Sequence, residues 1–257
     1  MSPPHDSKQE ARILAKGKHS NVIPLLSTFT QPGGRFILVF PFMPHTLEEV
    51  IHEGNVQFRT LRSHLRDLFS ALAHLHSLSI IHRDVKPSNI LLASPSGPAY
   101  LADFGIAWMD GDAASELREK KITDVGTTAY RPPELLFGHT AYGNSLDLWA
   151  VGCVVAECFL GGKRTLFDAG PLGSELALIH SIFKTLGTPA NETWPEANEF
   201  SDWGKMAFYK YPARLWTDIL PDAPAAVRDL IGKLVRYQST ERLGAAQALS
   251  HDLFQEI

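Results

Sequence analysis

The chain has 257 residues, of which 44% are hydrophobic and 20% charged, and its formal net charge is −4. This composition is typical of a globular protein with a sizeable core and excludes a largely disordered chain. The negative charge argues against a nucleic acid as the main partner. No apolar run approaches a membrane span, the opening MSPPHDSKQE has no hydrophobic signal segment, and Cys153 and Cys158 lie in an apolar stretch. We therefore expect an intracellular protein with free thiols and no membrane partner.

The beginning of the chain predicts a helix followed by a β-hairpin. EARILAKGK has the apolar spacing of a short helix that ends near Gly17. NVIPLLSTFT and RFILVF then flank the turn sequence QPGG, which is typical of a hairpin. The next segment, PFMPH, is a connector that its prolines keep irregular.

The remainder of the chain is predicted to be mainly helical. TLRSHLRDLFSALAHLHSL places five leucines at helical spacing: Leu61, Leu65, Leu68, Leu72 and Leu75. SLDLWAVGCVVAECFLGG is apolar nearly all round and stops at Gly161–Gly162, which predicts a buried central helix. Three more helices are predicted in ELALIHSIFKTLG, APAAVRDLIGKLVRY and GAAQALSHDLF.

Five motifs then occur in a fixed order: HRDVKPSN, ADFG, RPPE, SLDLWAVG and TERLGAAQALSHDLF. In this order and spacing they resemble a protein kinase. LVFPFMPHTL, GTTAYRPPELLFG and IFKTLGTPANETWPE are similar to cyclin-dependent kinases, and a lysine two residues after the catalytic aspartate resembles serine/threonine kinases. The resemblance implies an α+β, two-lobe fold. Residues 1–43 would be the remnant of an incomplete small β-lobe with the hinge, and residues 44–257 the mainly helical large lobe.

The resemblance assigns a chemical role to each polar residue of the motifs. Asp84 should accept or orient the acceptor hydroxyl, Lys86 should neutralise charge on the transferred phosphoryl group, and Thr127 should hydrogen-bond both. Asn89 and Asp103 carry oxygen atoms suited to Mg²⁺. ATP and Mg²⁺ are thus the expected cofactors, and protein serine or threonine hydroxyls the expected acceptors.

The resemblance also implies a nucleotide site at the connector between the lobes. Phe40 should close the back of the adenine pocket, and Leu91 should lie beneath the ring. The carbonyl of Pro41 and the backbone of Met43 should hydrogen-bond the base. Glu10 matches the glutamate that pairs with a strand lysine of the small lobe.

Neither a glycine-rich loop nor a strand lysine precedes Glu10, because only MSPPHDSKQ stands before it. We therefore expect the chain as it stands to bind ATP weakly and to phosphorylate no peptide measurably. One interpretation is a serine/threonine kinase whose sequence lacks its start. The alternative is a catalytically dead truncated kinase or pseudokinase that acts as a binding or regulatory module. A kinase-fold enzyme for small molecules is disfavoured by the peptide-binding segment GTTAYRPPE.

Two further positions bear on substrate and partner. Arg131 matches the arginine that shapes the pocket after the acceptor in proline-directed kinases, although Gly126 and Ala129 depart from the usual bulkier residues. The resemblance predicts Ser/Thr-Pro acceptors. A cyclin or other regulatory subunit is a candidate partner, but Lys8 stands where the cyclin-contacting helix has an apolar anchor, which argues against cyclin dependence.

Activation by phosphorylation is expected to be weak. The three positions that hold a phosphothreonine in the family read Gln9, Arg83 and Trp108, so only one arginine is present. We expect Thr123, the nearest acceptor, to be dispensable, and the run REKK to be a solvated loop face. Glu134 and Arg242 are expected to form a buried ion pair.

Overall fold

The computed structural model describes residues 6–54, 56–161 and 164–255. The helices are α1 (Ser7–Lys16), α2 (Leu47–Glu53), α3 (Phe58–Ser77), α4 (Pro133–Leu136), α5 (Ser145–Phe159), α6 (Glu175–Leu186), α7 (Trp216–Ile219), α8 (Ala225–Leu234) and α9 (Ala245–Ala248). The strands are β1 (Ser27–Thr30), β2 (Phe36–Val39), β3 (His45–Thr46), β4 (Ile80–Ile81), β5 (Ile90–Leu92), β6 (Ala99–Leu101) and β7 (Trp108–Met109). This mixture of helices and small sheets confirms the predicted α+β class.

The predicted helix and hairpin at the beginning of the chain are confirmed. Helix α1 is capped by the Asp6 carboxylate, which accepts a hydrogen bond from the Lys8 backbone N–H at 2.8 Å. The helix ends at Lys16 and Gly17 is its C-cap, close to the predicted end. Strands β1 and β2 pair antiparallel with Ser27 opposite Val39, and both are shorter than the segments that suggested them.

Helix α5 forms the centre of the core, because its apolar residues cover all its faces. Gly152 lets it approach α8 closely, since a Cβ atom there would lie 2.7 Å from Val235 Cγ2. The predicted central helix is therefore confirmed, although Gly162 of its predicted end lies outside the described residues. Cys153 is buried in this helix and both cysteines are free thiols. No helix of the described ranges has both the length and the apolar character needed to cross a bilayer.

The four short strands of the middle of the chain place two loops against each other. β4 pairs antiparallel with β7, and β5 pairs antiparallel with β6. Residues 82–89 connect β4 to β5, and residues 102–107 connect β6 to β7, so both loops leave the strands on the same side. The two loops bond directly: Ala102 N–H donates to the Asn89 carbonyl at 2.9 Å, and His82 Nε2 donates to the Ala102 carbonyl at 2.9 Å.

Three local predictions need correction. The predicted helix GAAQALSHDLF is interrupted after α9, because His251 caps a separate 3₁₀ turn with its Nδ1, which accepts from Leu253 N–H at 3.2 Å. The run REKK is not wholly solvated, because Lys121 is only 2% exposed. Helix α2 was not predicted, although Thr46 and Glu49 form a capping box at its start.

The predicted buried ion pair between α4 and the end of the chain is confirmed. Arg242 Nη1 and Nη2 donate to the two carboxylate oxygens of Glu134 at 2.6 and 2.7 Å. The two side chains are 0% and 1% exposed. This bidentate contact fixes the segment that follows the active-site loops to the helical body.

Candidate active site

A buried aspartate of α5 holds the backbone of the loop that carries the catalytic motif. The Asp147 carboxylate accepts hydrogen bonds from the backbone N–H groups of His82 and Arg83, each at 2.9 Å. His76 Nε2 donates to it at 2.9 Å, so His76 is a satisfied side chain. These contacts support a positive φ of 71° at Arg83, a conformation that L-residues rarely adopt.

The charge of Asp147 is stabilised despite complete burial. Burial by itself raises the pKa of this carboxyl, but the hydrogen bond from His76 and the nearby histidines lower it overall. Sequence reasoning did not single out Asp147. The available signal was an acidic residue in the first turn of a largely apolar helix.

The structure brings the four predicted catalytic residues into one hydrogen-bonded cluster. Asp84 Oδ1 accepts from both the backbone N–H and the hydroxyl of Thr127, each at 2.8 Å. Lys86 Nζ donates to the Thr127 hydroxyl at 2.8 Å and lies 2.9 Å from Asp84 Oδ2. Asn89 Nδ2 donates to Asp84 Oδ2 at 3.0 Å and to the Asp84 carbonyl at 2.9 Å. The geometry predicted for Thr127 from the resemblance is thus present.

Electrostatics keep the Asp84 carboxyl ionised. Its burial raises its pKa, but hydrogen bonds from Lys86 and Thr127 outweigh this effect and lower the pKa overall. The Asp84 and Lys86 side chains are 10% and 23% exposed, so both reach the surface of the cluster. An ionised, oriented carboxylate beside an ammonium group is suited to receive a hydroxyl proton next to developing negative charge.

Asp103 and Asn89 fit a magnesium ion by the chemistry of their donors. Asp103 is exposed and has a φ of 64°, and it forms no ion pair with any described side chain. Burial and the nearby charge of Asp103 raise the pKa of Glu10, while the Phe104 N–H opposes this shift. Asn89 uses its amide nitrogen toward Asp84, which leaves its oxygen available. Two neighbouring carboxylates that repel each other provide a favourable environment for a cation.

The residues predicted at the adenine site lie at the edge of the core. Phe40, Met43 and Leu91 are half-buried and pack against the main hydrophobic cluster. Among the described residues, no hydrogen bond engages the Pro41 carbonyl or the Met43 backbone. These groups therefore remain available to a ligand, as the predicted contacts with a base require.

Arg131 bonds to the backbone of Gly126. The sequence had singled out both residues but not this contact. Gly126 has a φ of 73°, and a Cβ atom there would lie 2.4 Å from the Arg83 carbonyl. The Gly126 carbonyl accepts hydrogen bonds from Arg131 Nε and Nη2, both at 3.0 Å. Arg131 is held in place by ion pairs with Asp124 at 2.8 Å and Glu175 at 2.7 Å.

Comparisons with known proteins place the chain in a family. The family model described as protein kinase domain matches residues 2–254. The chain is 37% identical over 241 residues to serine/threonine-protein kinase csk1 of Schizosaccharomyces pombe. This alignment covers 92% of this chain and 77% of that relative. It is 32% identical over 253 residues to human cyclin-dependent kinase 20, covering 98% and 70% of the two chains. For cyclin-dependent kinase 7 of Dictyostelium discoideum, the identity is 34% over 248 residues, covering 96% and 65%. The cluster around Asp84 and these relatives together identify the chain as a member of the protein kinase family, a serine/threonine kinase of the cyclin-dependent-kinase-like group.

Proposed function

We propose that this kinase transfers the γ-phosphoryl group of ATP to serine or threonine residues that proline follows in protein substrates. The observation that carries the proline preference is the double hydrogen bond from Arg131 to the Gly126 carbonyl. The proposal also divides the chain into a small-lobe part with the hinge, residues 1–43, and a large lobe, residues 44–257.

In this proposal the Asp84 cluster positions the acceptor. Asp84 receives the proton of the substrate hydroxyl, and Thr127 keeps the carboxylate oriented through two hydrogen bonds. Lys86 places its positive charge beside the phosphoryl group as it is transferred. Asn89 and Asp103 would hold Mg²⁺, which when bound neutralises phosphate charge. Phe40, Pro41, Met43 and Leu91 would enclose the adenine, and Glu10 would face the phosphates from α1.

The occupied carbonyl of Gly126 explains why proline is favoured. A residue other than proline after the acceptor brings a backbone N–H that needs a hydrogen-bond acceptor in the bound complex. Arg131 already uses the Gly126 carbonyl twice, so that N–H would be left without its nearest partner. Proline has no N–H and so avoids this cost.

Peptide kinetics test the proline preference. In a fusion that adds a glycine-rich loop and a strand lysine ahead of Met1, we expect a Ser-Pro peptide to be phosphorylated with a kcat/KM at least about tenfold higher than its Ser-Ala counterpart, as expected for one unsatisfied buried donor. Arg131→Gln should reduce this ratio, whereas Arg214→Gln, at an exposed arginine outside this contact, should leave it unchanged. Equal rates for the two peptides with the unaltered kinase would contradict the proposal.

The alternative of a dead kinase that serves as a binding module makes a different prediction. We would measure phosphorylation by the 257-residue chain and by a fusion that adds a glycine-rich loop and a strand lysine ahead of Met1. Phosphorylation that Asp84→Asn abolishes in either protein supports the catalytic proposal. Failure of both proteins to phosphorylate any peptide, with ATP binding absent, supports the binding module.

Protein substrates and a regulatory subunit are the proposed partners. Two of the relatives are named cyclin-dependent kinases. The exposed Lys8 on α1 replaces the apolar anchor that a cyclin contact would use, so we propose that a cyclin is not required.

A further inference from the structure

Arg83 is paired within the chain by a carboxylate of the segment that follows Asp103. Arg83 Nη1 donates to Glu116 Oε1 at 2.9 Å, and Nη2 donates to Glu116 Oε2 at 3.4 Å. The Arg83 side chain is 2% exposed and that of Glu116 is 18% exposed. The contact is therefore largely shielded from solvent, where a charge-assisted pair has most effect.

Two further hydrogen bonds from the Arg83 guanidinium also stay inside the protein. Its Nε donates to the Ile106 carbonyl at 2.5 Å, and Nη1 donates to the Tyr142 hydroxyl at 3.1 Å. Burial raises the pKa of the Glu116 carboxyl, but the hydrogen bonds and charge of Arg83 lower it overall, so Glu116 is held as an anion.

The residues next to Glu116 are fixed by neutral donors. Gln9 Nε2 donates to the Ser115 hydroxyl at 2.8 Å, and Trp108 Nε1 donates to the Glu116 carbonyl at 2.9 Å. Gln9, Arg83 and Trp108 stand at the three positions where, by the resemblance, the family places the arginines that hold a phosphothreonine. All three bind the dipeptide Ser115–Glu116 instead.

A second buried cation completes the cluster. Lys121 Nζ lies 4.8 Å from the centroid of the Trp108 ring and 5.1 Å from that of Tyr142, in cation–π contact with both. Tyr142 in turn donates its hydroxyl to the Ile122 carbonyl at 2.7 Å. Side chains of the protein itself thus tie the segment from Ser115 to Ile122 to the catalytic loop and its neighbours.

We propose that Glu116 is a positioning residue that binds Arg83 where a phosphate would otherwise be needed, so that residues 106–127 are ordered against the catalytic loop without phosphorylation. Arg83 directly precedes Asp84, and its backbone is fixed by Asp147. An anion on Arg83 therefore connects the activation segment, defined as residues 106–127, to the residue that orients the acceptor. An effect of Glu116 on phosphoryl transfer rests on the proposed function. The ordering of residues 106–127 by Glu116 does not depend on activity.

Hydrogen–deuterium exchange of the full 257-residue chain, read before and after phosphatase treatment, tests the structural part. We expect amides of the activation segment to exchange about tenfold faster in Glu116→Gln than in the unaltered chain. The matched control is Glu119→Gln, which removes an equal charge from an exposed side chain of the same segment and should change nothing. Phosphatase treatment should also change nothing. Equal exchange in Glu116→Gln and the unaltered chain, or loosening by phosphatase alone, would overturn the proposal.

Adding a small carboxylate to a variant without Glu116 tests whether the negative charge itself positions the activation segment, as opposed to a general loss of structure in the variant. In Glu116→Ala, acetate should restore protection of the activation segment, whereas chloride at the same ionic strength should not. No rescue by acetate would overturn the role of the carboxylate. In a version active on peptide, Glu116→Gln should lower kcat about tenfold and leave the KM for ATP unchanged. Exchange and rescue effects in the chain, together with no phosphorylation by the fusion that adds a glycine-rich loop and a strand lysine, would refute the proposed function while leaving the structural role of Glu116 intact.

Discussion

The hydroxyl of Thr127 occupies the centre of the polar cluster at the site. It donates a hydrogen bond to the Asp84 carboxylate and accepts one from Lys86 Nζ, both at 2.8 Å. The hydroxyl thus fixes the position of the carboxylate relative to the amino group, although the two residues are only two positions apart in sequence. A single hydroxyl can perform both tasks because it has one donor and two acceptor lone pairs. Neither alanine nor valine could replace it.

Thr127→Ala is expected to lower kcat by about tenfold to a hundredfold, because one charge-assisted hydrogen bond is worth about 1.5–3 kcal/mol. It should also move the acid limb of the kcat/KM profile to higher pH, because Thr127 helps to lower the pKa of Asp84. The measurement is steady-state peptide phosphorylation as a function of pH. Thr127→Ser keeps the hydroxyl and should stay within a few-fold of the unaltered kinase. Similar losses in the two variants would show that the methyl group, not the hydroxyl, is important.

Asp147→Asn is expected to destabilise the fold by about 2–4 kcal/mol at neutral pH, because a buried acceptor of several hydrogen bonds loses its charge. The folded pKa of Asp147 lies below its unfolded value, near 4. Its stabilisation is therefore complete above that pH and is lost as the pH falls through the folded pKa. Urea unfolding of both proteins between neutral and acid pH provides the measurement. The difference should shrink toward the acid end, and Asp222→Asn, at an exposed site, should show no difference at any pH.

At the scale of elements, the ion pair between Glu134 and Arg242 joins α4 to the segment before α9. Arg242 also donates to the Ser145 carbonyl at 3.0 Å, at the start of α5, and its guanidinium lies 5.1 Å from the centroid of the Trp149 ring. One side chain thus ties the segment before α9 to two helices, α4 and α5.

Arg242→Met should cost about 3–5 kcal/mol of unfolding free energy, because it leaves the Glu134 carboxylate buried without its partner. The double variant Glu134→Leu with Arg242→Met should be less destabilised than the sum of the two single variants. Lys205→Ala breaks an exposed pair with Asp202 and should cost less than about 1 kcal/mol. Chemical denaturation of the four variants and the unaltered chain provides the measurement. Additive losses in the double variant would refute the coupling.

The elements differ in how far their sequence determines them. Helices α3 and α5 were predicted because their periodicity or uniform apolarity is a local property of the chain. The burial of Lys121 was not predicted, because it depends on residues distant in sequence. Its side chain lies against Trp108, and its backbone N–H donates a hydrogen bond to the Thr140 carbonyl at 3.0 Å. The same limit applies at the site. The motif spacing predicted Asp84 and its neighbours, whereas Glu116 meets Arg83 across 33 positions and carries no motif.

At the scale of the whole molecule, the structure suggests that α1 is already coupled to the activation segment. Arg12 forms a bidentate contact with Asp112 at 2.8 and 2.9 Å, and Gln9 binds Ser115. The position of α1 is therefore set by contacts within the chain.

We therefore expect the native kinase to purify without a stoichiometric cyclin, since Lys8 places a charge where an apolar anchor would be required. Quantitative mass spectrometry of the protein isolated from its own cells provides the measurement. Lys8→Leu restores an apolar side chain and should increase capture of cyclins, and Lys18→Leu, on an exposed lysine beyond the helix, should not. A cyclin recovered in equal amount with the unaltered protein would contradict this expectation.

The pairing of Arg83 with Glu116 has a consequence for how the amount of active kinase is set in a cell. A carboxylate is present as soon as the chain is translated, and no phosphatase can remove it. If this carboxylate orders the segment, the enzyme cannot be reset by the enzymes that usually switch such segments off. The supply of activity would then follow the synthesis and degradation of the protein, and a change in its half-life would act as the switch.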